Sequence, residues 1–219
     1  MNMLSSLALQ GFLTMPGKNI HFAGWLCLLI CSLFHPIVSG ELVAQKTRTL
    51  SDGSTYYGDM RKRKPNGMGM ITKANGETYE GSFVDGAFHG KGTYTWLDGS
   101  YYIGDYVMGN REGQGQQFWP NGDRYTGSFV ADEQHGKGSY VWSDESIYIG
   151  CFMHGVMNGH GEYRESNGQV YVGEFMDGLF HGEGHLTSPE GDVYIGHFKY
   201  GIMDSFGRLA CFQDFTYKG

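Results

Sequence analysis

YEGSFVDGAFHGKGTYTWLDGSY, residues 79–101, is the stretch of this 219-residue chain that decides the fold. Tyr79, Gly81 and Phe83 alternate with other residues, and a period of two predicts a β-strand with these three on one face. The stretch from Gly92 to Trp96 alternates in the same way and predicts a second strand. Gly81 lies between two rings, so we expect it to make room for an aromatic side chain from a neighbouring strand.

The same pattern recurs every 23 residues without insertion or deletion. Seven copies begin at Tyr56, Tyr79, Tyr102, Tyr125, Tyr148, Tyr171 and Tyr194. The glycines of their Tyr-x-Gly motifs, which we predict to be structural, are Gly58, Gly81, Gly104, Gly127, Gly150, Gly173 and Gly196. One hairpin is marginal in water, whereas stacked hairpins bury a continuous row of rings. The sequence therefore predicts an all-β, elongated antiparallel sheet of stacked hairpins, about 65 Å long and without a helix between residues 48 and 207.

Asp-Gly and Asn-Gly dipeptides such as Asp98-Gly99 close most of the units and are a strong hairpin signal. Arg63 and Asp132 replace the glycine of the other turn, so we expect altered loops in those two hairpins. Asp144-Glu145 lacks the turn glycine and leaves the junction of the fourth and fifth repeats poorly defined. The seventh copy departs from the pattern after Gly207, as expected of a terminal cap.

The composition excludes several classes of protein. Glycine accounts for 36 residues, but with only five prolines and no three-residue period the chain is not collagen. Aromatic residues make up 15%, enough to bury surface, which argues against disorder. A net charge of −7 disfavours nucleic acid, since general binding needs clustered cations. The four cysteines form no Cys-x-x-Cys or zinc-finger pattern.

Residues 1–40 differ from the rest of the sequence. The segment 22–34 is a run of 13 apolar or small residues, shorter than the roughly 20 that span a membrane. With Lys18 before it and Val38, Ser39 and Gly40 after it, the segment has the form of a signal peptide. A secretory or membrane-anchored protein, from residues 22–38, and an intracellular protein with an apolar extension are both consistent with this sequence.

No arrangement of residues predicts catalysis, a metal site or a cofactor. His89, His135 and His181 occupy one position in alternate repeats, roughly 19 Å apart, too far to share an ion, and we expect them to pack against turns. His181 and His185 lie about 13 Å apart on a strand, so they do not form the helical zinc-protease motif. The glycine-rich loop 86–93 lacks the spacing and the strand–helix context of a phosphate loop. We therefore expect a protein that is not an enzyme.

Two clusters are candidate binding sites. Arg61, Lys62, Arg63 and Lys64 form a cationic loop in the first hairpin that could contact anionic phospholipid headgroups, although such runs are usually solvated loops. Trp96, Trp119 and Trp142 occupy one position in three consecutive repeats, roughly 10 Å apart. Core packing is the simplest role for these rings, and the floor of a peptide-binding groove is the alternative.

The pattern Tyr-x-Gly-x-Phe-x-x-Gly-x-x-x-Gly-x-Gly-x-Tyr with a terminal Asp/Asn-Gly resembles the MORN repeat (membrane occupation and recognition nexus), over residues 48–219. The resemblance implies a solenoid with a lengthwise groove. It further implies an intracellular scaffold or adaptor for protein partners at the cytoskeleton, the cilium or a membrane. Two alternatives are a membrane-tethering module that binds anionic phospholipid and a regulatory subunit of an enzyme carried on another chain.

Overall fold

The structure, a computed structural model, describes residues 47–210, which form one antiparallel sheet of 15 strands. The strands lie side by side in chain order, and each strand from β2 to β14 pairs with the strand before it and the strand after it. Their bounds are β1 Arg48–Thr49, β2 Thr55–Arg61, β3 Lys64–Thr72, β4 Thr78–Val84, β5 Ala87–Thr95, β6 Tyr101–Val107, β7 Asn110–Phe118, β8 Arg124–Val130, β9 Glu133–Val141, β10 Ile147–Met153, β11 Val156–Arg164, β12 Val170–Met176, β13 Leu179–Thr187, β14 Val193–Lys199 and β15 Ile202–Ala210. The prediction of stacked antiparallel hairpins is confirmed, and residues 47–210 contain no helix.

Several sequence predictions concern residues that the structure does not describe. The apolar segment 22–34 lies outside the range 47–210, and so do residues 211–219 of the proposed terminal cap, which begins after Gly207. Within that range no helix is long and apolar enough to cross a membrane.

Two kinds of turn alternate along the sheet. The turn inside each repeat has two residues; between β4 and β5 these are Asp85 and Gly86, with φ of 50° and 95°. Two consecutive positive φ values are typical of the type I′ turn, whose twist matches that of paired strands. The turn between repeats is longer: the Trp96 carbonyl accepts from Gly99 N at 3.1 Å, and Trp96 N donates to Ser100 O at 2.9 Å. This pattern is a three-residue loop that ends on a glycine with positive φ.

The acidic or amide residue of the longer turn has a specific role. The Asp98 carboxylate accepts hydrogen bonds from Ser100 N at 2.8 Å and from Ser100 Oγ at 2.6 Å. Asp52, Asn75, Asn121, Asp144 and Asn167 accept the equivalent backbone bond in other repeats. Because the side chain completes the turn, Asp and Asn are favoured there for their length and their acceptor oxygen.

The prediction of altered loops at Arg63 and Asp132 was wrong. Both residues adopt positive φ, 65° and 69°, in two-residue turns whose flanking strands pair in the usual register. The junction at Glu145 is also regular, because Glu145 takes φ of 72° and its backbone N donates to Trp142 O at 3.1 Å. The strong pairing of the flanking strands holds these non-glycine residues in a backbone region they rarely adopt alone.

The core is a row of tyrosines that lie over pairs of glycines. Tyr79 is fully buried with Gly81 and Phe83 on its face of β4, as the alternation predicted. A Cβ atom on Gly81 would lie 2.7 Å from the hydroxyl oxygen of Tyr79 and 2.6 Å from Cα of Gly92 on β5. The expectation that a neighbouring strand supplies the ring over Gly81 was therefore wrong, since the ring belongs to the same strand. It is Gly92 that makes room for a ring from its neighbour.

Each tyrosine also connects one repeat to the next. The Tyr79 hydroxyl donates to the Ser82 carbonyl at 2.9 Å, which holds the ring along its own strand. The same ring meets Phe83 edge-on, with centroids 5.1 Å apart, and Tyr106 of the next repeat at 5.2 Å. Edge-to-face pairs of this kind recur from Tyr56 to Phe198. The core of the described residues is therefore a continuous row of rings on one face of a single sheet.

Candidate functional site

The two faces of the sheet differ in chemistry. One face carries the buried tyrosines and phenylalanines. The other carries the residue between each tyrosine and glycine, and several of these are exposed apolar side chains, including Ile103 and Ile149 at 45% and 57% exposure. Because alternate residues of a strand point to opposite faces, Ile149 provides a control position for changes made on the aromatic face.

A second set of rings lies on the aromatic face, near the three-residue turns, and we name it the aromatic ladder. Its members are Tyr94, Trp96, Trp119, Tyr140, Trp142 and Tyr163, all packed at the core. Ring centroids are 4.7 Å apart for Tyr94–Trp96, 5.4 Å for Trp119–Tyr140, 4.6 Å for Tyr140–Trp142 and 5.5 Å for Trp142–Tyr163.

The three tryptophans are only partly buried. Among the described residues, no acceptor takes a hydrogen bond from the indole N–H of Trp96, Trp119 or Trp142, and these nitrogens are not sealed from solvent. An indole nitrogen is a donor only, and because these three nitrogens face solvent they are available to a ligand. The ladder therefore combines apolar ring surface with three unused donors at equivalent positions of successive repeats.

The tyrosine hydroxyls of the ladder are already engaged. Tyr94 donates to Glu77 Oε2 at 2.5 Å, and Tyr140 donates to Asp123 Oδ2 at 2.8 Å. Burial, together with the carboxylate each hydroxyl faces, raises the pKa of Tyr94 and of Tyr140. The hydrogen bond from Tyr94 in turn lowers the pKa of Glu77. These bonds fix the orientation of the tyrosine rings and leave the indole N–H groups as the free donors of the ladder.

Arg111 and Gln117 interrupt the ring pattern in the third repeat, a feature that the sequence analysis missed. Gln117 stands where other repeats have Tyr94 or Tyr140, and Arg111 stands where the second repeat has Phe88. The Arg111 guanidinium lies 5.6 Å from the centre of the Trp96 ring and donates to Gln117 Oε1 at 2.5 Å. The signal in the sequence was their joint departure from the 23-residue template.

Arg111 is held on several sides. Its Nε lies 3.2 Å from Asp132 Oδ1, another guanidinium nitrogen donates to the Asp132 carbonyl, and the group also lies 5.2 Å from the Phe129 ring centre. The Arg111 side chain is 21% exposed and that of Asp132 is 50% exposed, so the pair is only partly shielded from solvent. The planar guanidinium thus packs beside Trp96 in the repeat that has Gln117 in place of a tyrosine.

Two shallow pockets open along the aromatic face. The first has a volume of about 260 Å³ and is lined by Phe88, Tyr94, Trp96, Tyr106, Gly109, Arg111 and Asp132. The second has a volume of about 350 Å³ and is lined by Trp142, Met157, Tyr163, Phe175, Gly178, Leu179, Phe180 and Gly201. Each lies beside a ladder tryptophan, so a bound segment could place side chains into both.

The cationic loop lies at the type I′ turn of the first hairpin, between β2 and β3. Lys62 and Arg63 form the tip, and Arg61 and Lys64 are the paired residues that flank it. All four side chains are exposed, and within residues 47–210 none of them forms an ion pair. The loop is therefore accessible, at the opposite end of the hairpin from the three-residue turns.

Two of the histidines at the repeated position pack against the turn of a neighbouring hairpin. The His135 ring centre lies 5.9 Å from that of His154, and the His181 ring centre lies 5.4 Å from that of Tyr200, both at the tip of the next hairpin. Nδ1 of His89 and of His181 is buried without a partner. In the part of the chain that the structure describes, no three potential metal ligands lie close enough to hold an ion.

Solved structures that are similar to this chain include two domains from Drosophila melanogaster. The TCP domain of SAS-4 (dCPAP), in complex with a proline-rich motif of Ana2 (dSTIL), is 16% identical, with a TM-score of 0.40, covering 76% of this chain and 97% of that one. The TCP10c domain of Sas-4 is 16% identical, with a TM-score of 0.36, covering 71% of this chain and 99% of that one. A search of curated proteins found no match.

A family model gives the assignment. The MORN repeat model matches six consecutive segments: residues 79–101, 102–124, 125–147, 148–170, 171–193 and 194–211. Residues 56–78 fold in the same way, with strands β2 and β3 in the register of the later hairpins. Six matched repeats, with a seventh of the same structure before them, show that the chain belongs to the MORN-repeat family.

Proposed function

We propose that this chain is a non-catalytic scaffold or adaptor that binds segments of partner proteins along the aromatic ladder. The observation that carries the proposal is the row of half-buried tryptophans with unused N–H donors beside two open pockets. Tryptophan, tyrosine and arginine are the residues most enriched in the energetic centres of protein interfaces. The ladder holds tryptophan and tyrosine next to one another, and Arg111 lies beside Trp96.

The repeat architecture supports a binding role. Stacked repeats create long surfaces on which equivalent positions recur at a fixed spacing, as in other solenoid proteins that bind extended partners. Among residues 47–210 no three potential metal ligands lie together, and the proposal is therefore one of binding and not of catalysis. By resemblance to other MORN proteins, we expect partners at the cytoskeleton or the cilium.

The test is affinity capture with the full chain, in wild-type form and as two variants. Trp119→Ala removes the central ring of the ladder, and Ile149→Ala removes an exposed apolar side chain of the opposite face. We expect partners captured by the wild type to be lost with Trp119→Ala and retained with Ile149→Ala. Equal retention by both variants, with unchanged circular dichroism, would place the binding surface elsewhere.

A second candidate function is the tethering of a membrane surface through the cationic loop 61–64. The observation in its favour is the exposure of four adjacent cations without ion pairs among the described residues. Each cation near an anionic surface contributes about 1 kcal/mol, so four give about 4 kcal/mol, which alone corresponds to roughly millimolar affinity. Stable attachment would need a second contribution, such as the apolar segment 22–34 or avidity.

A further inference from the structure

We propose that the aromatic ladder binds a partner segment in the polyproline II conformation, with an apolar side chain at every third position of that segment. This inference rests on the proposed function and names the class of ligand. It commits to a proline-rich segment of neutral to basic charge, laid across the strands from Trp96 to Trp142.

The spacing of the ladder fits the pitch of this conformation. Equivalent residues of successive repeats are two strands apart, or about 9.6 Å at about 4.8 Å per strand. Polyproline II has three residues per turn and rises about 3.1 Å per residue, so every third side chain returns to the same side after about 9.3 Å. The mismatch is about 0.3 Å per repeat, so three anchors stay in register with Trp96, Trp119 and Trp142.

Other backbone conformations fit less well. An α-helix returns a side chain to nearly the same face after seven residues, or about 10.5 Å, which is about 0.9 Å out of register at every repeat. An extended strand alternates sides, so its same-face residues fall at multiples of about 6.6 Å and miss the 9.6 Å spacing.

The unused donors point to the same ligand. Trp96, Trp119 and Trp142 each present an indole N–H that no group among the described residues accepts. Polyproline II has no internal hydrogen bonds, so all of its carbonyl oxygens are free to accept. The carbonyls within a helix are already paired along the backbone. Indole N–H donors spaced about 9.6 Å apart therefore suit a ligand whose free carbonyl oxygens recur at nearly the same spacing.

The acidic residues around the ladder favour a ligand of neutral or basic charge. The three loops that carry the tryptophans, residues 96–100, 119–123 and 142–146, contain Asp98, Asp123, Asp144 and Glu145 and no lysine or arginine. The two cations that contact the ladder are both engaged. Lys73 donates to the Tyr94 hydroxyl at 2.6 Å and lies 3.6 Å from the Glu77 carboxylate, and Arg111 is held by Asp132 and Gln117. The carboxylates of these three loops would repel an acidic segment and would attract basic residues that flank the prolines.

The experiment measures binding of labelled peptides to the full chain by fluorescence anisotropy. The test peptide carries leucine at every third position with prolines between, Leu-Pro-Pro-Leu-Pro-Pro-Leu, flanked by arginines. The register control has leucine at every fourth position, separated by three prolines, so that its anchors rotate away from one face. The helical control is an alanine-rich peptide with the same arginines and leucine at every seventh position.

We expect the test peptide to bind at least about tenfold more tightly than either control. Trp119→Ala and Trp142→Ala should each weaken its binding about tenfold or more, and Ile149→Ala should leave it unchanged. Trp119→Phe keeps a ring and loses the donor, so its effect should be intermediate. Circular dichroism melts show whether each variant is folded, and either tryptophan variant alone suffices as the test.

Three results would overturn the inference: no binding of the test peptide, equal binding of the two proline peptides, or tighter binding of the helical peptide. None of these would remove the proposed function. Partners captured through Trp119 in the absence of any proline-peptide binding would leave the scaffold in place and show that its ligand has another conformation.

Discussion

Gly127 is the position at which the packing of tyrosine over glycine can be measured most directly. A Cβ atom added there would lie 2.6 Å from Cα of Gly138 on β9 and 2.7 Å from Cζ of the fully buried Tyr125. Gly127 has no positive φ, so a substitution there tests space and not backbone strain. Gly127→Ala must therefore displace either the neighbouring strand or the ring.

The size of the effect follows from these two outcomes. Accommodation by small shifts has the usual cost of overpacking, about 1–3 kcal/mol. Complete displacement of the ring would expose about 150 Å² at about 25 cal/mol per Å², or about 4 kcal/mol. It would also break the 2.9 Å bond from the Tyr125 hydroxyl to the Ser128 carbonyl, a further loss of about 1 kcal/mol. We expect Gly127→Ala to lower the free energy of unfolding by about 2–4 kcal/mol, and Gly127→Val by more.

Gly168→Ala is the matched control. A Cβ atom at Gly168 would meet no atom within 4 Å, and its φ of 97° is the only source of strain. Glu145, at the equivalent turn position, adopts φ of 72°, so this variant should cost only about 1 kcal/mol. Urea unfolding followed by circular dichroism compares the two variants. A Gly127→Ala cost no larger than that of Gly168→Ala would refute the packing argument.

Three other predictions concern pH, a turn and the cationic loop. Burial raises the pKa of four tyrosines to about 12, namely Tyr56, Tyr79, Tyr125 and Tyr171. Because unfolded tyrosines titrate near pH 10, the stabilisation from these four residues should be fully present below about pH 10 and should be lost as the pH rises toward 12. A folded protein whose tyrosine absorbance at 295 nm titrates fully near pH 10 would contradict this. Asp98→Ala removes two bonds to Ser100 and should lower the urea midpoint by the equivalent of about 1 kcal/mol, whereas Leu97→Ala, at an exposed neighbour, should not. Co-sedimentation of the full chain with anionic vesicles should weaken at physiological salt and when the four cations of loop 61–64 are changed to serine, and binding that survives both changes would exclude the loop.

The repeating sheet was predictable because residues on one face of a strand recur at every second position of the sequence. Tyr79, Gly81 and Phe83 must share a face if they lie on a strand, and the 23-residue repetition then fixes the remainder of the sheet. The source of the ring over Gly81 was not predictable from alternation alone. It depends on the direction in which the Tyr79 ring leans, and the hydrogen bond from its hydroxyl to Ser82 O decides that direction.

Local composition was a weaker guide than strand pairing. Asp85-Gly86 and Asp98-Gly99 are the same dipeptide, yet the first forms a two-residue turn and the second closes a three-residue loop. Arg63 adopts the backbone of a glycine because the strands on either side are already paired. Arg111 and Gln117, taken singly, look like ordinary substitutions. Their hydrogen bond appears only when the two strand positions are brought together.

The chain order of the strands has a consequence for synthesis. Each strand finds a partner in the strand that precedes it, so no segment has to wait for a distant part of the sequence. A ribosome adds about 5–20 residues per second, and a 23-residue repeat therefore emerges about every 1–5 s. A hairpin forms in about 1–10 μs, far faster than the next repeat arrives. The sheet can thus grow as it is translated, with each new hairpin laid against the edge of the last.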